Sequence, residues 1–346
     1  MKKVFKNILN KTKILDDGPK PYFKVNNIKL KNLSNQESRI SFGNKNAEKI
    51  FYIIRRSPGA GLFSNVISVL NHLKICEDNN YIPYVDMENF LTIYNENSII
   101  NGSLNAWEYY FKKVSNYTLS EIYSSKNVII SSNVIKNNFE HFPNKNKEFK
   151  KICNKYISFK DDLNNKANDF CITNYIEKQN TLGIHFRGTS YKKSAGHHYP
   201  GTVDQFTNIT ENLLKKYNFT KIFLVTEEIN YLNNFKKRFK NKICYIDSYR
   251  SDVDDAFNTF PRSLHRYKLG EESALESIIL SKCKGILYVS SNIVHFSNLI
   301  SSNNQKLFEL YNGLNSKNQF LANFKWHIKK HLPYKLFGLK NRIIIH

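Results

Sequence analysis

The stretch Thr181-Leu-Gly-Ile-His-Phe-Arg-Gly-Thr-Ser-Tyr191 decides how the chain is read. Its first part, 181–186, is a short, mostly apolar run of the length of a buried strand. The run breaks at Arg187-Gly-Thr-Ser190, with Tyr191-Lys-Lys193 directly behind. That combination suits an anion: Arg187 offers a planar fork of donors, Gly188 allows close backbone approach, and Thr189 and Ser190 add hydroxyls. In open α/β sheets ligands sit at the carboxyl ends of strands, where this cluster falls. The alternative is a structural arginine paired with a carboxylate, and the motif alone does not choose between them.

Downstream, apolar runs at 221–226, 242–247 and 285–290 alternate with helical patterns at 204–217, 231–239 and 270–283, and Ser291-Asn292 opens a last helix reaching Ile300. Strands alternating with helices at this spacing predict a doubly wound domain. Parallel strands followed by helices all end on one side of the sheet. Three polar clusters, His185-Phe-Arg187, Thr226-Glu-Glu228 and Ser290-Ser-Asn292, are therefore expected at one rim. The third puts hydroxyls at a helix N-terminus, again suited to phosphate.

Upstream, 49–55 reads as a strand, Arg56-Ser-Pro-Gly-Ala-Gly61 breaks it, 62–77 carries apolar residues at helical spacing, and 81–86 is the next strand. This is a βαβ unit whose glycine loop either presents backbone N–H groups to a phosphate or is a tight turn. It is neither a Walker A loop nor a full GxGxxG. Asn105-Ala-Trp-Glu-Tyr-Tyr-Phe111 gathers four aromatics in a short helical segment, read as core in preference to a sugar-stacking wall. Residues 115–180 hold a strand at 126–131 and a polar helical stretch at 149–175, with the domain boundary expected at 170–180.

The 346 residues allow two domains of ordinary size. With 41% hydrophobic and 14% aromatic residues the chain is too apolar for disorder, and 52 Lys+Arg against 29 Asp+Glu give a net charge of +23. Such a field attracts nucleotides, anionic membranes or nucleic acid. No zinc-finger spacing, RRM signature or basic zipper accompanies it, so nucleic acid is not the expected partner. Five scattered cysteines without CxxC spacing read as buried hydrophobes in a reducing compartment. No signal peptide and no 18-residue apolar run is found, which predicts a cytoplasmic protein. Residues 324–346 interleave Lys325, Lys329, Lys330, Lys335, Lys340 and Arg342 with Trp326, Leu332, Tyr334, Leu336, Phe337 and Leu339. Such a tail either lies on an anionic leaflet or docks on the body through its apolar face.

Four segments, in this order, carry a resemblance to a known family: Arg56-Ser-Pro-Gly-Ala-Gly-Leu-Phe-Ser-Asn65; Ile184-His-Phe-Arg-Gly-Thr189; Ile222-Phe-Leu-Val-Thr-Glu-Glu228; and Glu272-Ser-Ala-Leu-Glu-Ser-Ile-Ile-Leu-Ser-Lys-Cys283 with Val289-Ser-Ser-Asn-Ile-Val-His-Phe-Ser297. Over residues 50–300 the chain resembles the fucosyltransferase superfamily that uses GDP-fucose, the α1,6-, α1,2- and protein O-fucosyltransferases, and among them bacterial relatives of the nodulation-factor enzyme.

The resemblance implies an α/β GT-B fold, two Rossmann-like domains facing across a cleft. The expected limits are an arm at 1–48, an acceptor-side domain at 49–175, a donor-nucleotide domain at 176–312 and a tail at 313–346. It implies an inverting transferase that moves a sugar from a GDP-sugar, with GDP-fucose expected, to an oligosaccharide or lipid-linked glycan in bacterial surface polysaccharide synthesis. No metal or other cofactor is expected. Arg187 would meet the donor β-phosphate, with Gly188 and Thr189 beside it, and His185 would lie in the nucleotide-binding region. Ser290, Ser291 and Asn292 would take the pyrophosphate, Thr226 with Glu227 or Glu228 would lie near the nucleoside, and Gly59, Gly61 and Asn65 form the glycine loop. A fixed arginine with hydroxyl donors stabilises a departing diphosphate without a metal.

One departure stands out. Many members carry an acidic residue where this chain has Ser190, and the α1,6 enzymes a glutamate where it has Ala195. The general base is therefore open among His197, His198 and Asp204 in the following loop and Asp86 or Glu88 upstream. It also leaves a non-catalytic, nucleotide-sugar-binding relative as an alternative. Asp252-Val-Asp-Asp255 contains a DxD, read as a loop or helix start and not as a metal site.

Overall fold

Three runs of buried β-branched and aromatic residues anchor the first of two units in the computed structural model, which describes residues 33, 35–56, 61–132, 147–251 and 256–346. The unit comprises described residues up to 160 together with 260–270. Its elements are β1 (Ser38–Ile40), β2 (Phe51–Ile54), α1 (Leu62–Asn79), β3 (Ile82–Val85), α2 (Leu119–Ile122), β4 (Val128–Ile130) and α3 (Lys147–Tyr156). The sheet runs β1-β4-β2-β3, with β2 parallel to both β3 and β4 and β1 antiparallel at the edge. Every residue of β2 is buried, as a strand covered on both faces requires. The expected βαβ unit is present: β2 gives way to a loop, and Gly61 is the N-cap of α1.

The second unit comprises 161–259 and 271–346 among the described residues. It holds α4 (Asp161–Thr173), β5 (Thr181–His185), a 3-10 turn (Thr189–Lys193), α5 (Val203–Lys216), β6 (Lys221–Val225), α6 (Ile229–Phe239) and β7 (Ile243–Cys244). It continues with α7 (His265–Lys282), whose first turns belong to the first unit, then β8 (Gly285–Tyr288), α8 (Asn292–Ile300), β9 (Lys306–Tyr311), α9 (Gln319–Lys329) and β10 (Arg342–Ile345). The six strands run β10-β9-β8-β5-β6-β7, all parallel except β10. The stretch that opened the reading, β5, sits near the middle and is buried throughout. Gly183 lets α7 close on it, since a Cβ there would stand 2.7 Å from Leu280 Cδ2. Phe186, Phe206, Tyr231 and Phe235 fill the core beneath the rim, with Phe186 stacked on Tyr231 at 3.9 Å.

Several limits differ from those the sequence suggests. The helical stretch at 149–175 is two helices, and α4 belongs to the second unit because Phe170 packs edge-on against Phe223 of β6 at 5.7 Å. The division falls at 160/161, not at 170–180. The end of the 1–48 arm supplies β1, whose ladder with β4 pairs Arg39 with Ile129. Residues 313–346 are no separate tail: Trp326 and Ala322 bury one face of α9, and β10 completes the sheet. The strand expected over 242–247 stops at Cys244. Arg250 curls back to donate to the Ile246 and Ser248 carbonyls at 2.9 and 3.0 Å, removing them from any ladder. Trp107, Tyr109, Tyr110 and Phe111 are buried in turns, so that cluster is core. All five cysteines are buried and free.

Candidate active site

The order β8-β5-β6 brings the three polar strand ends to one rim of the second unit. Arg187 leaves β5 half-buried, with its guanidinium 4.4 Å from the centre of the Tyr191 ring. No ion pair or hydrogen bond of its side chain is found among the described residues. The Tyr191 hydroxyl in turn donates to the Ser290 carbonyl at 3.3 Å, tying the Arg187 platform to the end of β8. There Ser291 is the N-cap of α8 but makes no side-chain capping bond. The first N–H groups of α8 and the Ser290, Ser291 and Asn292 side chains thus remain available as donors, the arrangement that accepts an anion at a helix N-terminus.

The other half of the expected phosphate cradle is occupied from within. The Gly188 N–H donates to Glu227 Oε1 at 3.2 Å, the Thr189 hydroxyl donates to the same oxygen at 2.5 Å, and the Thr189 N–H donates to Glu228 Oε1. Lys192 pairs with Glu228 at 2.5 Å with both side chains largely buried, and its ammonium lies over the Tyr231 and Trp326 rings. Glu227 and Glu228 therefore brace the loop after β5. Thr226 is part of the same brace, its hydroxyl accepting from the Glu228 N–H at 3.3 Å. A Cβ at Gly188 would crowd the Glu228 carboxyl and stand 2.8 Å from Cε2 of the Tyr231 ring, so a side chain there would have to displace the brace. Thr189 follows at φ +32°, a strained value that the two carboxylates hold in place.

His185 is buried, its Nδ1 has no hydrogen-bond partner among the described residues, and burial, then the nearby Arg187 charge, push its pKa down to about 3. It is neutral at any working pH. The adjacent His197 and His198 separate onto two sides of the loop. The His197 ring meets the Tyr191 ring edge-on at 5.2 Å, and burial, followed by Arg187 and His198, lowers its pKa. His198 faces the other way, 3.8 Å from Glu309 and against Tyr311. Of the expected pair only His197 accompanies Arg187. Asp204 sits exposed in the first turn of α5 behind the Thr202–Gln205 capping box, a helix-start role.

The loop is strapped to the C-terminal segment. Gly196 donates to the Ser316 carbonyl at 2.8 Å, Tyr199 to Gly313 at 2.9 Å, Asn315 to His197 at 2.7 Å, and the Trp326 indole to Pro200 at 2.9 Å.

Past β7, sequence reasoning assigned no role to two residues that the fold brings into the rim. Glu276 of α7 accepts from the Ser248 hydroxyl at 3.3 Å, beside Arg250, Glu272 and Glu227. Burial is the main cause that pushes its pKa up to about 8. The i,i+4 spacing of Glu272 and Glu276, which puts both on one helix face, was the available signal. An acid whose folded pKa is raised contributes stability that is full below its unfolded value and lost as pH rises through about 8. Glu276→Gln is therefore expected to melt above the wild type at pH 8 and level with it at pH 4; a gap independent of pH would contradict this.

In the first unit, Gly59 lies outside the described residues, as does the DxD of 252–255. Gly61 opens α1, and the Leu62 N–H behind it donates to the Tyr94 hydroxyl at 2.7 Å. Asn65 is buried, with neither side-chain polar atom hydrogen-bonded among the described residues. Asp86 accepts from the Glu88 and Asn89 N–H groups, the Asn89 amide and the Tyr123 hydroxyl, which makes it a turn anchor with no free lone pair for base chemistry. Burial raises the pKa of half-buried Glu88.

No protein-family model matches the chain, and no curated protein matches it by sequence. Solved structures do. A NodZ α-1,6-fucosyltransferase co-crystallised with GDP is 11% identical, with 76% of this chain and 95% of that one covered at a TM-score of 0.51. One soaked with GDP-fucose is 12% identical over 77% and 98%, and fucosyltransferase NodZ from Bradyrhizobium 12% identical over 75% and 95%, both at 0.51. Two units with parallel-rich sheets and this likeness together give the chain the GT-B fold of those fucosyltransferases.

Proposed function

We propose that the protein is an inverting glycosyltransferase that moves a sugar, fucose in the first instance, from a GDP-sugar to a glycan acceptor. The carrying observation is Arg187, held on Tyr191 at the junction of β5 and β8 with no carboxylate partner among the described residues, beside the N-terminus of α8, whose N-cap makes no side-chain capping bond. An arginine and helix N–H groups fixed in advance stabilise the charge that develops on a departing diphosphate. The NodZ structures with GDP and GDP-fucose support the choice of nucleotide. The acidic edge of Glu272 and Glu276 suits the N–H donors of a guanine.

In this reading the acceptor oxygen bonds to the anomeric carbon as the carbon–phosphate-oxygen bond breaks. The acceptor proton passes to neutral His197, and the bonding electron pair leaves with GDP beside Arg187. Because the cations are supplied by the chain, no metal is required. The setting is synthesis of bacterial surface polysaccharide in the cytoplasm, with an oligosaccharide or lipid-linked acceptor.

The pH profile tests the base. Since the pKa of His197 is lowered, kcat/KM falls only on acidification below the ordinary histidine value of about 6.5. His197→Gln loses that limb along with most of the rate; retention of the limb would assign the base elsewhere. The capture of Gly188 and Thr189 by Glu227 and Glu228 favours one second reading, a protein that binds GDP-sugars without turnover. GDP binding with no transfer to any acceptor, and no effect of His197→Gln, would select it.

A further inference from the structure

We propose that the outward side of the C-terminal segment, α9 and the turn behind it, is a docking surface for an anionic lipid bilayer. Two faces of α9 are apolar. Ala322 and Trp326 are buried against the second unit. Phe320, Phe324 and Ile328, one helical turn apart on the roughly opposite face, are 70%, 54% and 59% exposed, with the two phenylalanine rings in contact at 5.5 Å. The following turn adds Tyr334, Leu336 and Phe337, which are 64%, 60% and 84% exposed. Phe337 stands at φ +64°, a left-handed value that holds the ring outward on a tight turn where Lys329 donates to its carbonyl. A soluble surface scatters such residues singly; a contiguous aromatic and aliphatic ridge marks an interaction site.

Charge selects the occupant. Residues 313–346 contain Lys317, Lys325, Lys329, Lys330, Lys335, Lys340 and Arg342 and no Asp or Glu. A second copy docking face to face would set these cations against themselves, which disfavours self-association. Nucleic acid would use the cations and stack on the rings, but it has no use for exposed Leu321, Ile328, Leu332 and Leu336. An anionic leaflet uses both, with the cations at the headgroups and the ridge at the acyl boundary. No helix among the described residues is long and apolar enough to cross a membrane, so the contact is with one leaflet. The buried face of the same helix holds the His197 loop through Trp326 and Pro200. Docking therefore sets that loop about one helix diameter, ~10 Å, from the bilayer. On the GDP-sugar reading, that placement favours a lipid-linked acceptor.

The test is co-sedimentation of the full chain with phosphatidylcholine vesicles, with and without phosphatidylglycerol, in the absence of nucleotide. Binding is expected only to the anionic vesicles and to weaken as salt rises. Phe320→Ser with Phe324→Ser and Phe337→Ser should lower partitioning at least ~10-fold while leaving the melting temperature unchanged, since all three side chains are exposed. Lys330→Glu with Lys335→Glu should flatten the salt dependence. Failure of the wild type to sediment with anionic vesicles overturns the proposal. So does a dimer in light scattering that the triple variant dissolves, which would give the surface to a second copy, or salt-sensitive RNA binding lost in the triple variant without any vesicle binding. Vesicle and GDP binding are separate readouts, so failure of either leaves the other standing.

Discussion

On the proposed function, Arg187→Ala is expected to lower GDP-sugar turnover by about 10²-fold or more while the protein stays folded. The size follows from what the side chain does in the fold. It touches the Tyr191 ring and, among the described residues, binds no carboxylate. Removing it breaks no buried ion pair, and the loss falls on the transition state, where negative charge grows on the leaving diphosphate. Arg187→Lys should recover only part of the rate, because a point charge replaces a planar fork of donors. A kcat loss with nearly unchanged KM and melting temperature is the expected pattern. Equal loss of GDP affinity and stability would make Arg187 a structural residue.

The second large effect is on stability. Glu228→Ala should cost about 3 kcal/mol, because breaking a buried pair leaves Lys192 charged and uncompensated. Lys192 is 17% exposed, Glu228 9%, and the Glu228 carboxylate also receives the Thr189 N–H. At roughly 2–4 °C per kcal/mol in a unit of this size, the melting temperature should fall by about 6 °C or more. Lys192→Met in the same background should recover much of the loss, since it removes the stranded charge. If Glu228 served the nucleoside alone, Glu228→Ala would weaken GDP binding and leave the melting curve in place.

These two residues also mark how far the sequence could be read. The place of Arg187 just past the end of β5 was legible because its signal is local: a buried run ends and arginine, glycine and hydroxyls follow. The central strands β2, β5, β6 and β8 were legible for the same reason, being covered on both faces and thus continuously apolar. The role of Glu228 was not, because its partner Thr189 lies 39 positions away and only the β5–β6 pairing brings them together. The edge strands escaped as well. Ser38-Arg-Ile40 is short and half-polar, and the Arg342–Ile345 run reads equally as an amphipathic tail until Asn312 and β9 capture it. His197 and His198 are chemically alike and adjacent, so only the strap to residues 313–316, fixing which ring turns to Tyr191, tells them apart.

The most direct measurement is calorimetry of GDP, UDP, CDP and ADP binding to the full chain, each in EDTA and again with Mn²⁺. The proposed function predicts that GDP binds selectively and equally well in EDTA. Preference for another nucleotide, dependence on Mn²⁺, or no binding at all would contradict it.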